Sequence, residues 1–123
     1  MAHHLFIAAE KTLPMRDFDV ALIRHLLLKG AARLGNDQLA AKISRWQFQG
    51  PGVWIGIDEK ALSDEPRIFE AALEIVRGLG DSISADYLNA DAALPDGVWH
   101  KGQRSADVAE KLRAMQHHLT NGA

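Results

Sequence analysis

Cysteine is absent from this 123-residue chain, which removes disulfides, thiol nucleophiles and thiolate metal sites together. That absence fits a reducing compartment. No apolar run approaches the roughly 20 residues that a helix needs to cross a bilayer. The N-terminus has neither the basic region nor the long apolar segment of a signal peptide, so the cytoplasm is the expected location. Phosphate-cradling loops are missing as well, because Gly78-Leu79-Gly80 lacks the further glycine and the Lys-Ser/Thr pair that such loops use. His-Glu-x-x-His does not occur. His117 and His118 are adjacent, so on a helix they diverge by about 100° and cannot share an ion unaided. None of the five serines sits on a strained elbow or beside the base that a nucleophile requires. No cofactor and no metal is expected.

What remains is ordinary globular material. The chain is 47% hydrophobic and 24% charged, and its length suits one domain, 1–123, with a core that needs no covalent staple. Val53–Gly80 carries the clearest local signals. Val53, Trp54, Ile55 and Ile57 are β-branched or aromatic and read as a buried strand. Trp46-Gln47-Phe48-Gln49 alternates ahead of the turn marker Gly50-Pro51-Gly52. An antiparallel hairpin over about 46–58 follows, with Trp46 and Phe48 expected on the face used by Val53, Ile55 and Ile57. Gly56 leaves room for a close neighbour. Beyond it, Ser63 or Asp64 is placed to cap a helix carrying Ile68, Phe69, Ala72, Leu73 and Val76 on one side. Glu70, Glu74 and Arg77 fall on its wet side, and Gly78 and Gly80 end it.

Around this centre the pattern predicts further elements. Residues 3–13 read as one strand closed by Pro14. A helix from Asp17 or Asp19 to about Gly35 has Phe18, Leu22, Leu26 and Lys29 in one row. Its run Leu26-Leu27-Leu28 calls for heavy burial or for a partner such as a second copy. A shorter helix from Asp37 carries Leu39, Ala40, Ile43 and Trp46. Ile83, Ala85 and Tyr87 alternate with polar residues as a strand does, although Tyr87–Leu94 also suits a helix. Ser105 is expected to cap a last helix with Val108, Leu112, Met115 and Leu119 as its stripe. The sum is an α+β fold: a small, mainly antiparallel sheet packed with about four helices.

Charge is unevenly placed. From Asp58 to Asp96 there are ten acids against three bases, −7, which leaves six acids and eleven bases, +5, elsewhere. Aspartates recur at 81, 86, 91 and 96. Five steps turn a helical side chain by roughly 140° and reverse a strand's face, so spacing alone does not gather them. Two units resembling a pentapeptide repeat are too few to stack.

Three functional classes remain. The first is a small non-catalytic protein-binding domain, in its most concrete form a bacterial inhibitor or immunity-type protein that neutralises a cationic toxin or enzyme through an acidic surface. Its contact residues would be Trp54, Asp58, Glu59, Asp64, Asp81, Asp86, Tyr87 and Asp91, since complementary charge speeds encounter and aromatics anchor interfaces. The second is a small enzyme using Asp58 and Glu59, with His100, as acid and base. The third is a homo-oligomeric module built on the leucines of the first helix. Nucleic acid ranks below these, because Arg16, Arg24, Lys29, Arg33, Lys42 and Arg45 beside Trp46 meet only the minimum for backbone contact. No membrane-surface helix is expected.

Overall fold

Backbone polar groups at the start of the chain are satisfied by strand pairing. In this computed structural model, which describes residues 4–8, 11–14, 16–50, 53–91 and 99–121, β1 (His4–Ala8) runs antiparallel to β2 (Lys11–Pro14). Leu5 lies opposite Leu13 and Phe6 opposite Thr12. The stretch expected as one strand is therefore two. The helix α1 (Asp17–Leu34) follows. Val20, Leu22, Ile23, Leu26, Leu27 and Ala31 are buried along it. Leu26 and Leu27 of the leucine run are buried and Leu28 is half-buried.

α2 (Asp37–Ser44) folds back beside α1, its first turn capped by Asn36, whose Oδ1 accepts from the Leu39 N–H at 3.1 Å. Such a cap satisfies a donor that the helix itself leaves free. Arg24 on α1 reaches the Ser44 carbonyl at 2.9 Å and ties the end of α2 down. Then β3 (Gln47–Gly50) pairs antiparallel with β4 (Val53–Ile55), with β1 alongside β4.

The register of this hairpin reverses the expected faces. Phe48 pairs with Trp54 and Gln47 with Ile55, and directly opposed residues share a face. The Phe48 and Trp54 rings meet at 5.6 Å in an edge arrangement. Trp54 is 8% exposed and Ile55 45%. Burying the larger aromatic surface outweighs burying Ile55, so the strand turns its Trp54 side inward.

Asp58 opens α3 (Glu59–Asp64), a helix the sequence pattern did not predict. Its Oδ1 accepts from the Ala61 N–H at 3.0 Å. Ser63 and Asp64 are thereby taken into the last turn of α3 rather than capping the next helix. That helix, α4 (Arg67–Gly78), starts at Pro66 with no side-chain cap. Ile68, Phe69, Ala72, Leu73 and Val76 are all buried on it, as the spacing predicts. β5 (Ser82–Ile83) is two residues long, and α5 (Ala85–Asp91) replaces the expected strand. Ser84 directs that change, because its Oγ accepts from the Tyr87 N–H at 3.2 Å. β5 pairs with β6 (Gln103–Arg104), and α6 (Ser105–Asn121) closes the chain. Ser105 starts α6 and donates its hydroxyl to the Gly80 carbonyl, while its N–H donates to the Asp81 carbonyl at 3.0 Å.

The described strands thus form three two-stranded antiparallel ladders, and the described helices number six. The molecule is a small α+β fold. One cluster of buried residues runs from Val20 on α1 through Trp46, Trp54, Phe69 and Leu88 to Met115 on α6. Among the described residues no helix is long and apolar enough to cross a membrane.

Gly56 shows how closely the hairpin is held. Its φ is +86°, and a Cβ there would stand 2.6 Å from the Arg45 carbonyl oxygen. Both the backbone angle and the space exclude a side chain. Gly56→Ala is expected to lower the unfolding free energy by roughly 1–3 kcal/mol, read from urea denaturation against the parent.

Candidate functional site

The acidic residues fall into two groups, set by the elements that carry them. On α3 and its flanks the carboxylates have basic neighbours. Asp58 caps the helix with one oxygen and has the other 3.8 Å from Lys42 Nζ. Asp64 pairs with Lys60 at 2.9 Å, one helical turn apart. Glu65 meets Arg67 Nε at 2.7 Å and Nη2 at 2.8 Å, and this hydrogen bonding holds the Glu65 carboxyl below its usual range. Glu59 is half-buried in the first turn of α3, where a negative charge suits the helix dipole.

The β5–α5 segment differs. Asp81, Asp86 and Asp91 are exposed, and among the described residues none of them is in an ion pair. Asp81 borders a groove of about 370 Å3 between α4 and α6, together with Val76, Arg77, Ser105, Ala109 and Arg113. Tyr87 is half-buried and packs toward α1. Its hydroxyl is hydrogen-bonded to His25 Nε2 at 3.0 Å, and the two rings meet at 5.8 Å. Lys29 Nζ lies 5.4 Å from the Tyr87 ring centroid, within the range of a cation–π attraction. His25 is consequently a packed boundary histidine that docks α5 on α1.

Of the eight residues expected at a partner surface, Trp54 is displaced into the core by the hairpin register, and Tyr87 is committed to His25. Ile55, which the sequence reading placed on the buried face with Val53 and Ile57, is instead a large apolar side chain exposed on β4. The alternation of a strand would have pointed to it, had Trp54 been assigned to the buried face.

The acid and base groups of the enzymatic reading are not brought together. His100 lines a cleft with Arg16, Phe18, Trp99, Lys101 and Gln103, and neither Asp58 nor Glu59 belongs to that lining. Among the described residues no group of three His, Asp or Glu is placed to hold a metal ion. Among the described residues Asp19 is the buried acid, 4% exposed, held between Arg16 Nε at 3.2 Å and Lys111 Nζ at 3.3 Å. It joins α1 to α6.

No protein-family model, no curated protein and no solved structure gives a significant match to the chain.

The His25–Tyr87 contact makes a pH prediction. Burial pushes the His25 imidazole below its ordinary value of 6.5; Lys29 pushes the same way, Asp91 opposes, and Arg24 adds to the lowering. The folded state thus binds a proton less readily than the unfolded chain does. The stability contributed by neutral His25 is fully present above pH 6.5 and is lost as pH falls below that value toward the lower folded-state pKa. His25→Gln keeps a hydrogen-bonding group without titrating there. Urea midpoints measured between neutral and mildly acidic pH are expected to fall less steeply for this variant than for the parent.

Proposed function

We propose that the chain is a small non-catalytic protein-binding domain that meets a basic partner through the exposed carboxylates of the Asp81–Asp91 segment. One observation carries this reading. The eleven residues from Asp81 to Asp91 contain three carboxylates and no lysine or arginine, and all three carboxylates are exposed without an ion pair among the described residues. Charges already matched within a fold add little field outside it, whereas unmatched ones attract and orient a complementary surface. Asp58 and Asp64, which have lysine neighbours, are assigned the weaker share, and Glu59 adds to the same sign of charge. The form this takes is an inhibitor or immunity-type protein acting in the bacterial cytoplasm on a cationic toxin or enzyme.

Affinity capture from the source organism's lysate, at low and at high salt, tests the reading with two variants. The parent is expected to retain a basic protein that elutes as salt rises. Changing Asp81, Asp86 and Asp91 together to Asn is expected to abolish that retention, while Asp64→Asn leaves most of it. A partner that stays bound at high salt, and binds the triple variant equally, would contradict the acidic-surface mechanism.

A further inference from the structure

Trp99 begins a basic segment, Trp99-His100-Lys101-Gly102-Gln103-Arg104, and its backbone is clamped from both sides. The Asn89 side chain on α5 accepts from the Trp99 N–H at 2.6 Å and donates to the Trp99 carbonyl at 2.9 Å. The indole is thereby set against Phe18 at the start of α1, ring centroids 4.7 Å apart and planes at 69°. Arg16 stands beside this pair. Its Nε bonds the buried Asp19 carboxylate at 3.2 Å. Lys101 and His100 are exposed at the same cleft. The cleft measures about 200 Å3, and among the described residues its lining is Arg16, Phe18, Trp99, His100, Lys101 and Gln103, with no acid.

We propose that this cleft binds a small aromatic carboxylate with a single ring system. Size sets the first limit, since a cavity of about 150 Å3 already holds benzene. The aromatic pair sets the second: Trp99 is buried and Phe18 beside it half-buried, and a ring gains edge contacts with such a pair that an aliphatic group of equal area does not make. Arginine sets the third. Its planar fork matches a carboxylate, and such charge-assisted bonds are stronger than neutral ones. Lys101 adds a mobile positive charge at the rim. Asn89 and Asp19 hold the cleft's two sides in place before a ligand arrives, which reduces the ordering cost of binding. This site is separate from the β5–α5 carboxylates, and each can fail without the other.

Nuclear magnetic resonance titration of the full chain with benzoate tests the proposal. Cyclohexanecarboxylate, benzyl alcohol and inorganic phosphate serve as probes lacking the π face, the charge or the ring. Benzoate is expected to shift the Trp99 indole N–H and the Lys101 and Gln103 amides saturably. The three other probes should bind about tenfold more weakly or less, the scale of one lost charge-assisted contact. Lys101→Glu, at an exposed position that leaves the core untouched, is expected to weaken benzoate by a similar factor. Absence of shifts at the cleft, equal binding of benzoate and any other probe, or an unchanged benzoate affinity in Lys101→Glu would each overturn the proposal.

Discussion

Gly30 has no side chain at the point where α1 passes α4, and a Cβ placed there would stand 3.1 Å from the Ile68 carbonyl oxygen and 3.4 Å from the Ala72 nitrogen. That close approach of two backbones governs the rest of the molecule. It brings Leu26, Leu27 and Ala31 of α1 against Ile68, Phe69 and Ala72 of α4 in one buried cluster. Burial of this kind stabilises by about 25 cal/mol for each Å2 of apolar surface removed from water. A side chain that held the helices apart would forfeit contacts along their whole length, since interiors pack without slack. α6 completes the cluster by laying Val108, Leu112 and Met115 over it. The short ladders and the short helices α3 and α5 are arranged around that frame.

The frame positions both surfaces to which a function is assigned. α5 meets α1 through the hydrogen bond between His25 and Tyr87, and its Leu88 is fully buried in the common core. Docking leaves Asp86 and Asp91 on the outside. The far end of α5 holds Trp99 through Asn89, and Trp99 then closes on Phe18. A single short helix therefore links the acidic surface to the aromatic cleft. Each gets its geometry from the same contact with α1.

Much of this was legible in the sequence. α1, α4 and α6 repeat their apolar residues every three or four positions, and such spacing has one structural solution. Gly56 was correctly marked for a close neighbour, which is the Arg45 carbonyl. Other features depended on choices that local pattern does not make. Val53, Ile55 and Ile57 outnumber Trp54 as apolar residues, yet pairing with Phe48 across the hairpin decides the face. A bulge between Phe48 and Gly50 shifts the register within the same strand. The α3 helix was hidden by its charged first turn, although Asp58 followed three residues later by Ala61 is an N-cap arrangement. Ser84 gave the same signal for α5 and was masked by an apparent alternation. The His25–Tyr87 bond joins positions 62 apart, and no spacing rule reaches that far. Nor does composition reveal which carboxylates are matched by lysines and which are not.

Hydrogen exchange under native conditions measures the central dependence on α1 and α4 most directly. If their approach at Gly30 holds the fold, amides from Leu22 to Ala31 and from Phe69 to Val76 will exchange only through global unfolding and will be the slowest in the chain. The β3–β4 hairpin and α5 will open at lower free energy. Amides of α1 or α4 that exchange ahead of the hairpin would contradict the account and place the organising contact elsewhere.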